Sequence, residues 1–486
     1  MKFILLSSAL AAVATAAATD NNNNNTTNKI EWETCPEEYP PELQCGKMQL
    51  PIDHDNSTLG NFTLHMVRVP CLAGNDTSAC PNSLFFNFGG PGVATIPGFL
   101  TDPANGLFGN LREKYALIAP DFRGTGQSNP VRCDGKLMNQ RPANDTVEGL
   151  AAYNKALGES CLRLTGPLFY HVDAISVVRD LDQMRQALGD DKFNYYGLSY
   201  GTVYGPLYAE RFPNKVGKIV IDGNIAHSQD DTSLMMTGAA TVENSINRFS
   251  NWCSTDPECA LHGEDAASVL DKVAEAADKK PIPAPGCSKP DGKSCRPNVT
   301  ADELIFQVKG SFGDGQKGWP DLAEAIKNAR DGNATALSLE LQEEPVSTDS
   351  EVPIACVDGW GEDQRSAERN RDGRLVVARA LYPHSRGVHD IYNWQKQCIG
   401  WPAPVKYQRR RPNITSSVPP VLIINKLHDA STSSAWAIEL RKQIPSAINV
   451  FRDSDGHDAI NGEEMQQVVE DYYLRKLPKD MQVFST

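Results

Sequence analysis

The chain has 486 residues, 40% of them hydrophobic, and a formal net charge of −14 from 47 Lys and Arg against 61 Asp and Glu. This composition suits one large elaborated domain or two or three smaller ones. The acidic balance excludes a protein that works by neutralising phosphate backbones, so nucleic acid is not an expected partner.

In chain order, Met1-Lys2 leads into an apolar run, Phe3 to Val13, that fades into Ala14-Thr15-Ala16-Ala17-Ala18. This order reads as a secretory signal peptide over 1–18, followed by a polar leader over 19–30 that has nothing to bury. No later run reaches the roughly 18 apolar residues of a membrane span, so a secreted, extracellular protein without a membrane anchor is expected. Sequons open at Asn24, Asn25, Asn56, Asn61, Asn75, Asn144, Asn298, Asn333 and Asn413 and are read as surface glycosylation acceptors.

In an oxidising compartment the 12 cysteines should form disulfides. Short spacings suggest Cys35 with Cys45, Cys71 with Cys80, Cys253 with Cys259 and Cys287 with Cys295. Cys133, Cys161, Cys356 and Cys398 are left for longer bridges. No C-x-x-C occurs and no His sits at ligand spacing, so no metal is implied.

From about Glu31, short β-rich runs alternate with helical stretches, the pattern of an α/β protein with a parallel sheet. Strands are predicted at Ser83–Phe88 and Tyr115–Ala119, and a helix at Ala174–Leu188 with Gly189 as its stop. A strand at Phe193–Tyr196, a helix from Tyr200 to Phe212 and a strand at Lys218–Ile221 follow. Between 226 and 415 the alternation gives way to helical stretches, two tight cysteine loops and a Pro-rich piece, read as an inserted cap. The strand signal returns at Val421–Ile424 and Ile448–Phe451. The core is thereby divided into 31–225 and 416–486.

The strand at Phe193 runs into Gly197-Leu198-Ser199-Tyr200-Gly201 and then into a helix. A serine on such a turn is lifted above the sheet edge, and the helix N-terminus favours developing negative charge. Its hydroxyl needs a base and a group to orient that base, expected later in the chain, each after a late strand. Asp429 follows one such strand and His457 the other, and of the nine histidines only His457 lies beyond both Ser199 and Asp429. Asp222 is the rival acid, His428 reads as a loop neighbour, and His227, His262, His384 and His389 read as surface residues of the insertion. For the oxyanion, one N–H is expected from Tyr200 and another from Gly90, in the loop Phe88-Gly89-Gly90-Pro91-Gly92. Asp121 and Arg123, in Asp121-Phe122-Arg123-Gly124-Thr125-Gly126-Gln127-Ser128, are expected to brace the site.

These motifs, with Gly456-His457, resemble the α/β-hydrolase fold with a mainly helical inserted cap. More narrowly, F-N-F-G-G-P-G at 86–92 and G-L-S-Y-G-T at 197–202 resemble the proline iminopeptidase and tripeptidyl aminopeptidase group of serine exopeptidases. The part from about Leu375 resembles that group's TAP-like C-terminal domain. Asn87 stands where proline iminopeptidases usually carry His, which points toward the tripeptidyl branch.

Three further signals are weaker. Gly313-Asp314-Gly315-Gln316-Lys317-Gly318 satisfies G-x-G-x-x-G but follows no strand, so it is not read as a dinucleotide site. Arg409-Arg410-Arg411 reads as a solvated loop. Asp358 and Glu362 are candidates for holding a substrate amine, since an exopeptidase needs a partly desolvated carboxylate for that task. The expectation is a monomeric, secreted serine hydrolase that removes di- or tripeptides from free N-termini without metal or organic cofactor. A carboxylesterase, or a hydrolase fold kept as a binding module, are the alternatives.

Overall fold

The computed structural model describes residues 29–72, 80, 82–100, 109–288, 294–361, 364–474 and 476–485. The predicted signal peptide, almost all of the leader, the sequons Asn24, Asn25 and Asn75, and Glu362 lie outside the described residues. Ten strands form the central sheet: β1 (Glu31–Thr34), β2 (Gln44–Pro51), β3 (Asn61–Val69), β4 (Ser83–Asn87), β5 (Ala116–Pro120), β6 (Phe193–Leu198), β7 (Val216–Asp222), β8 (Val421–His428), β9 (Ile448–Asp455) and β10 (Gln482–Ser485). Their order is β1-β2-β3-β5-β4-β6-β7-β8-β9-β10. β1, β2 and β3 run antiparallel up to β5, and from β5 onward all pairings are parallel.

Alternation along the middle strands supplies both faces with apolar side chains, as a sheet covered on both sides requires. Phe85, Tyr195, Ile219, Ile221 and Ile423 pack with Val178, Leu181 and Leu207 of the helices Ala174–Leu188 and Tyr204–Arg211. Leu84, Phe86, Tyr196, Val220, Leu422 and Ile424 meet Val468, Val469 and Tyr472 of the helix Glu463–Leu474 on the other face. The Ala174–Leu188 helix keeps its predicted bounds. Asp173 caps it by accepting the Ser176 N–H at 3.0 Å, and Gly189 closes it in the left-handed region at φ 81°.

Between β7 and β8 the chain leaves the sheet and builds helices at Asp231–Thr255, Ala266–Lys279, Ala301–Gly310, Trp319–Arg330, Glu351–Val357, Gln364–Leu381 and Asp390–Gln397. Several of these share a core of their own around Val242, Phe249, Leu270, Leu304, Trp319 and Ile326. The four short disulfides pair as the spacings suggest, and the longer bridges are Cys133–Cys161 and Cys356–Cys398. No helix among the described residues is long and apolar enough to cross a membrane.

The structure corrects several expectations. The turn after β6 is a 3-10 helix over Ser199–Val203, with the α-helix beginning only at Tyr204. Two insertion histidines are buried: His227 stacks on Tyr407 with ring centroids 4.3 Å apart, and His389 accepts the Ile391 N–H at 3.2 Å to cap the Asp390 helix. Burial pushes their pKa values down to about 3 and about 4, so both rings are neutral. Arg409, Arg410 and Arg411 pair with Asp231, Glu210 and Glu439, and so tie the returning chain to three helices.

Candidate active site

The turn after β6 holds Ser199 at φ 53°, a left-handed conformation that a non-glycine residue adopts only where its surroundings impose it. Close packing imposes it here. Gly201 lies so near Asn87 that a β-carbon would sit 2.6 Å from the Asn87 amide oxygen, and one on Gly197 would sit 2.5 Å from the Gly201 carbonyl. These glycines let the turn close and aim Ser199 out of the sheet edge.

The Gly-rich loop after β4 approaches from the neighbouring strand. A β-carbon on Gly89, at φ 84°, would meet the Ser199 β-carbon at 2.7 Å and the Tyr200 nitrogen at 2.9 Å. Asn87 fastens this loop by accepting the Gly89 N–H at 2.8 Å. The Gly90 N–H has no hydrogen-bond partner among the described residues. Asp121 accepts the N–H groups of Ile96 at 3.0 Å and Gln127 at 2.8 Å, and Arg123 grips the buried Asp180 with two 2.6 Å bonds. Both therefore brace the surrounding loops.

Strands β8 and β9 run farther than predicted, to His428 and Asp455, and deliver Asp429 and His457 just past their ends. His457 Nδ1 lies 2.8 Å from Asp429 Oδ2. Asp429 is 1% exposed and also accepts the N–H groups of Ser431 and Thr432 at 2.8 and 2.9 Å and the Thr432 hydroxyl at 2.7 Å. Burial raises its pKa, but the His457 charge and these donors outweigh that and hold the carboxyl below its ordinary range. For His457, burial opposes protonation, while the charge and hydrogen bond of Asp429, then Asp458, carry its pKa up to about 9. Gly223 closes the ring's other side: a β-carbon there would meet His457 Cε1 at 3.1 Å.

Asp222, the rival acid, does a different job. Its carboxylate takes the Tyr196 hydroxyl at 2.8 Å and the N–H groups of Ala459 and Ile460 at 2.8 and 3.0 Å, anchoring the segment that follows His457. Burial and Asp458 push its pKa up to about 7.

The expectation for Asp358 is corrected. This residue is 0% exposed, with one oxygen on the Ala174 N–H and the other on the Tyr200 hydroxyl, both at 2.7 Å. Trp360 donates to the same hydroxyl at 2.8 Å. Asp358 is thus committed beneath the Ser199 turn, and a substrate amine has no route to it. Sequence reasoning missed this support, and likewise Thr432, because both act through space with no spacing to betray them.

A cleft of about 960 Å³ opens between the Gly-rich loop and the insertion. Pro91, Gly92 and Val93 line it with Asp349, Glu351 and Asp390, while Ser199 and His457 stand outside the lining. Glu351 adjoins the Gly-rich loop, since a β-carbon on Gly92 would lie 2.8 Å from its nitrogen. Glu351 lines the cleft with its carboxyl set against the wall, where among the described residues it takes one donor, Trp394 Nε1, at 2.9 Å. Burial pushes its pKa up to about 7, Trp394 opposes this, and Asp349 and Asp390 add to it.

Residues 88–283 match the family model of the alpha/beta hydrolase fold, and residues 386–482 match that of the TAP-like protein. The serine protease Hip1 of Mycobacterium tuberculosis is 28% identical over 450 residues, covering 87% of this chain and 84% of that protein. The tripeptidyl aminopeptidase of Streptomyces lividans is 27% identical over 463 residues, covering 88% and 81%. Carboxylesterase B of the same mycobacterium is 25% identical over 441 residues, covering 86% and 81%.

Proposed function

We propose that this chain, an α/β hydrolase with a TAP-like C-terminal region, is a secreted serine aminopeptidase that releases di- or tripeptides from free N-termini. The observation that carries the reading is the 2.8 Å bond between His457 and buried Asp429, set across β7 and β8 from the strained Ser199 turn. Asp429 fixes the imidazole with Nδ1 protonated, leaving Nε2 as the base. Ser199 loses its proton to His457 and attacks the scissile carbonyl. The N–H groups of Gly90 and Tyr200 bind the oxyanion, which supports their pairing across the Gly89–Ser199 contact. His457 then protonates the leaving amine, and water releases the acyl group by the same route in reverse.

Glu351 is assigned the amine-binding role in place of the buried Asp358, while Glu362, the other candidate, lies outside the described residues. A carboxylate that lines the cleft with one donor among the described residues attracts an ammonium group, and its segment adjoins the Gly-rich loop at Gly92. Six disulfides among the described residues support export, with exposed Asn56, Asn61, Asn144, Asn333 and Asn413 as glycan acceptors. Asn298 is half-buried and accepts from Arg141 at 2.9 Å, which makes it the poorest acceptor of the described sequons.

The likeness to a carboxylesterase favours one second reading, hydrolysis of small esters by the same triad. Rates on chromogenic tripeptide, single-residue prolyl and short-acyl ester substrates, for wild type and Ser199→Ala, test both. The tripeptide should be cleaved fastest and the variant should lose all three activities. Preference for the ester would select the second reading, and full activity in the variant would remove Ser199 from the chemistry.

A further inference from the structure

The helix Asp231–Thr255 belongs to the insertion, yet two of its side chains reach the strand ends that carry the acid and the base. Asn244 Nδ2 lies 3.2 Å from His428 Nδ1, on the residue immediately before Asp429. One helical turn on, Arg248 grips Asp455 through both arms, Nε to Oδ1 at 2.6 Å and Nη2 to Oδ2 at 2.8 Å. Asp455 ends β9, two residues before His457, and its side chain is 6% exposed. Positions four apart lie on one face of a helix, so a single face of the cap spans both catalytic loops.

A second cap segment holds the histidine itself. The Gly313 carbonyl accepts the His457 N–H at 2.9 Å, and Gln316 Nε2 donates to Asp455 Oδ2 at 3.0 Å. Backbone meets backbone here. A β-carbon on Gly315, at φ 64°, would lie 2.8 Å from the Asp455 carbonyl, and one on Gly456, at φ 103°, would lie 2.9 Å from both the Gly313 oxygen and the Gly315 nitrogen. The glycines of the G-x-G-x-x-G string are thus required by close approach to the histidine loop rather than by a phosphate. From the core side, Lys426 Nζ donates to the His457 carbonyl at 3.3 Å and Asp222 holds Ala459 and Ile460.

We propose that the cap is a positioning element for catalysis: Arg248, Gln316 and the Gly313–Gly315 loop hold His457 in register with Ser199 and Asp429. This rests on the triad reading above. The general base is held from the sheet side and from the insertion side at once, and it is correctly placed only while the Arg248 and Gly313 contacts hold. The arrangement makes activity depend on cap position as well as on substrate binding.

The test compares Arg248→Ala, Arg248→Lys and the double variant Asn244→Ala/Gln316→Ala with wild type. Arg330→Ala, which removes a cap surface pair with Glu264, serves as the control. kcat and KM are measured on a chromogenic tripeptide, and each variant's melting temperature is recorded. Arg248→Ala should lower kcat about 10- to 100-fold with KM within about twofold, because a misplaced base slows chemistry without touching the substrate. Lys, which offers a point charge in place of a fork, should recover part of the loss. Arg330→Ala should match wild type. If Arg248→Ala does not fold, the double variant, altered only at hydrogen-bonding side chains, should still lower kcat about threefold or more. Wild-type kcat in a folded Arg248→Ala or double variant overturns the proposal, as does a loss confined to KM. His457→Ala separates the two claims: activity retained there removes the triad reading itself, whatever Arg248 does.

Discussion

Two carboxyl groups near the reacting centre are pushed in opposite directions by what surrounds them. Asp429, rich in donors and facing His457, is held ionised, whereas Glu351 is pushed up to about 7 by desolvation first and by Asp349 and Asp390 after it. Opposed environments of this kind mark different duties. Asp429→Asn should lower kcat by about 10³- to 10⁴-fold, because the amide leaves the imidazole in the wrong tautomer. The pH profile follows from the sign of the His457 shift. A general base must be neutral, and Asp429 stabilises the protonated ring, so kcat/KM on an ester should rise with pH through a limb near 9. In Asp429→Asn the residual limb should move to lower pH, and an unmoved limb would show that another group titrates. Glu351→Gln should raise KM for free-amine peptides about tenfold or more while changing kcat little, the mark of lost ground-state binding. Unchanged KM for such peptides in this variant would send the amine elsewhere. The placement of Ser199, Asp429 and His457 at strand ends was legible in the sequence because each follows a strand in an order the architecture dictates. Glu351 was not, since nothing local distinguishes it from other acids of the insertion, and Asp358 misled because its neighbourhood of Gly and Trp gave no sign of burial beneath Tyr200.

At the scale of elements, legibility followed hydrophobic period and punctuation. The helix Ala174–Leu188 carries an Asp cap, an apolar stripe and a closing Gly, and all of it could be read. β8 and β9 were read only as far as their apolar halves, because Asn425-Lys426-Leu427-His428 and Arg452-Asp453-Ser454-Asp455 look like loop. Those polar ends remain strand because β8 and β9 pair with each other up to His428 and Asp455. The Cys356–Cys398 bridge ties the helix bearing Glu351 to the end of the helix bearing Asp390, and so sets the shape of the cleft wall. Replacing both cysteines by Ser should destabilise the protein by about 2–4 kcal/mol and raise KM more than it lowers kcat. Calorimetry and steady-state kinetics on the same preparation would show whether stability and substrate binding are lost together, and an unchanged KM would separate the bridge from the cleft.

Across the whole molecule, a two-sided sheet carries the Ser199 turn and the Asp429 and His457 loops, and a helical insertion packs against them. Alternation and its loss along the chain made that division readable. The docking of the two bodies was not, because it depends on pairs such as Arg248–Asp455 and on backbone contacts between glycines far apart in sequence. The net charge of −14 adds nothing to the chemistry; in the cleft, Asp390 is paired with Lys309, and Asp349 and Glu351 are the carboxyls beside the Gly-rich loop that suit a cationic chain end. The central claim is therefore that a free α-amine is part of the substrate. The most direct measurement is mass spectrometry of the products from one decapeptide, supplied with a free and with an acetylated N-terminus, incubated with wild type and Ser199→Ala. Wild type alone should release di- or tripeptides stepwise from the free end and leave the acetylated peptide intact. Equal cleavage of the acetylated peptide, or cuts in its interior, would contradict it.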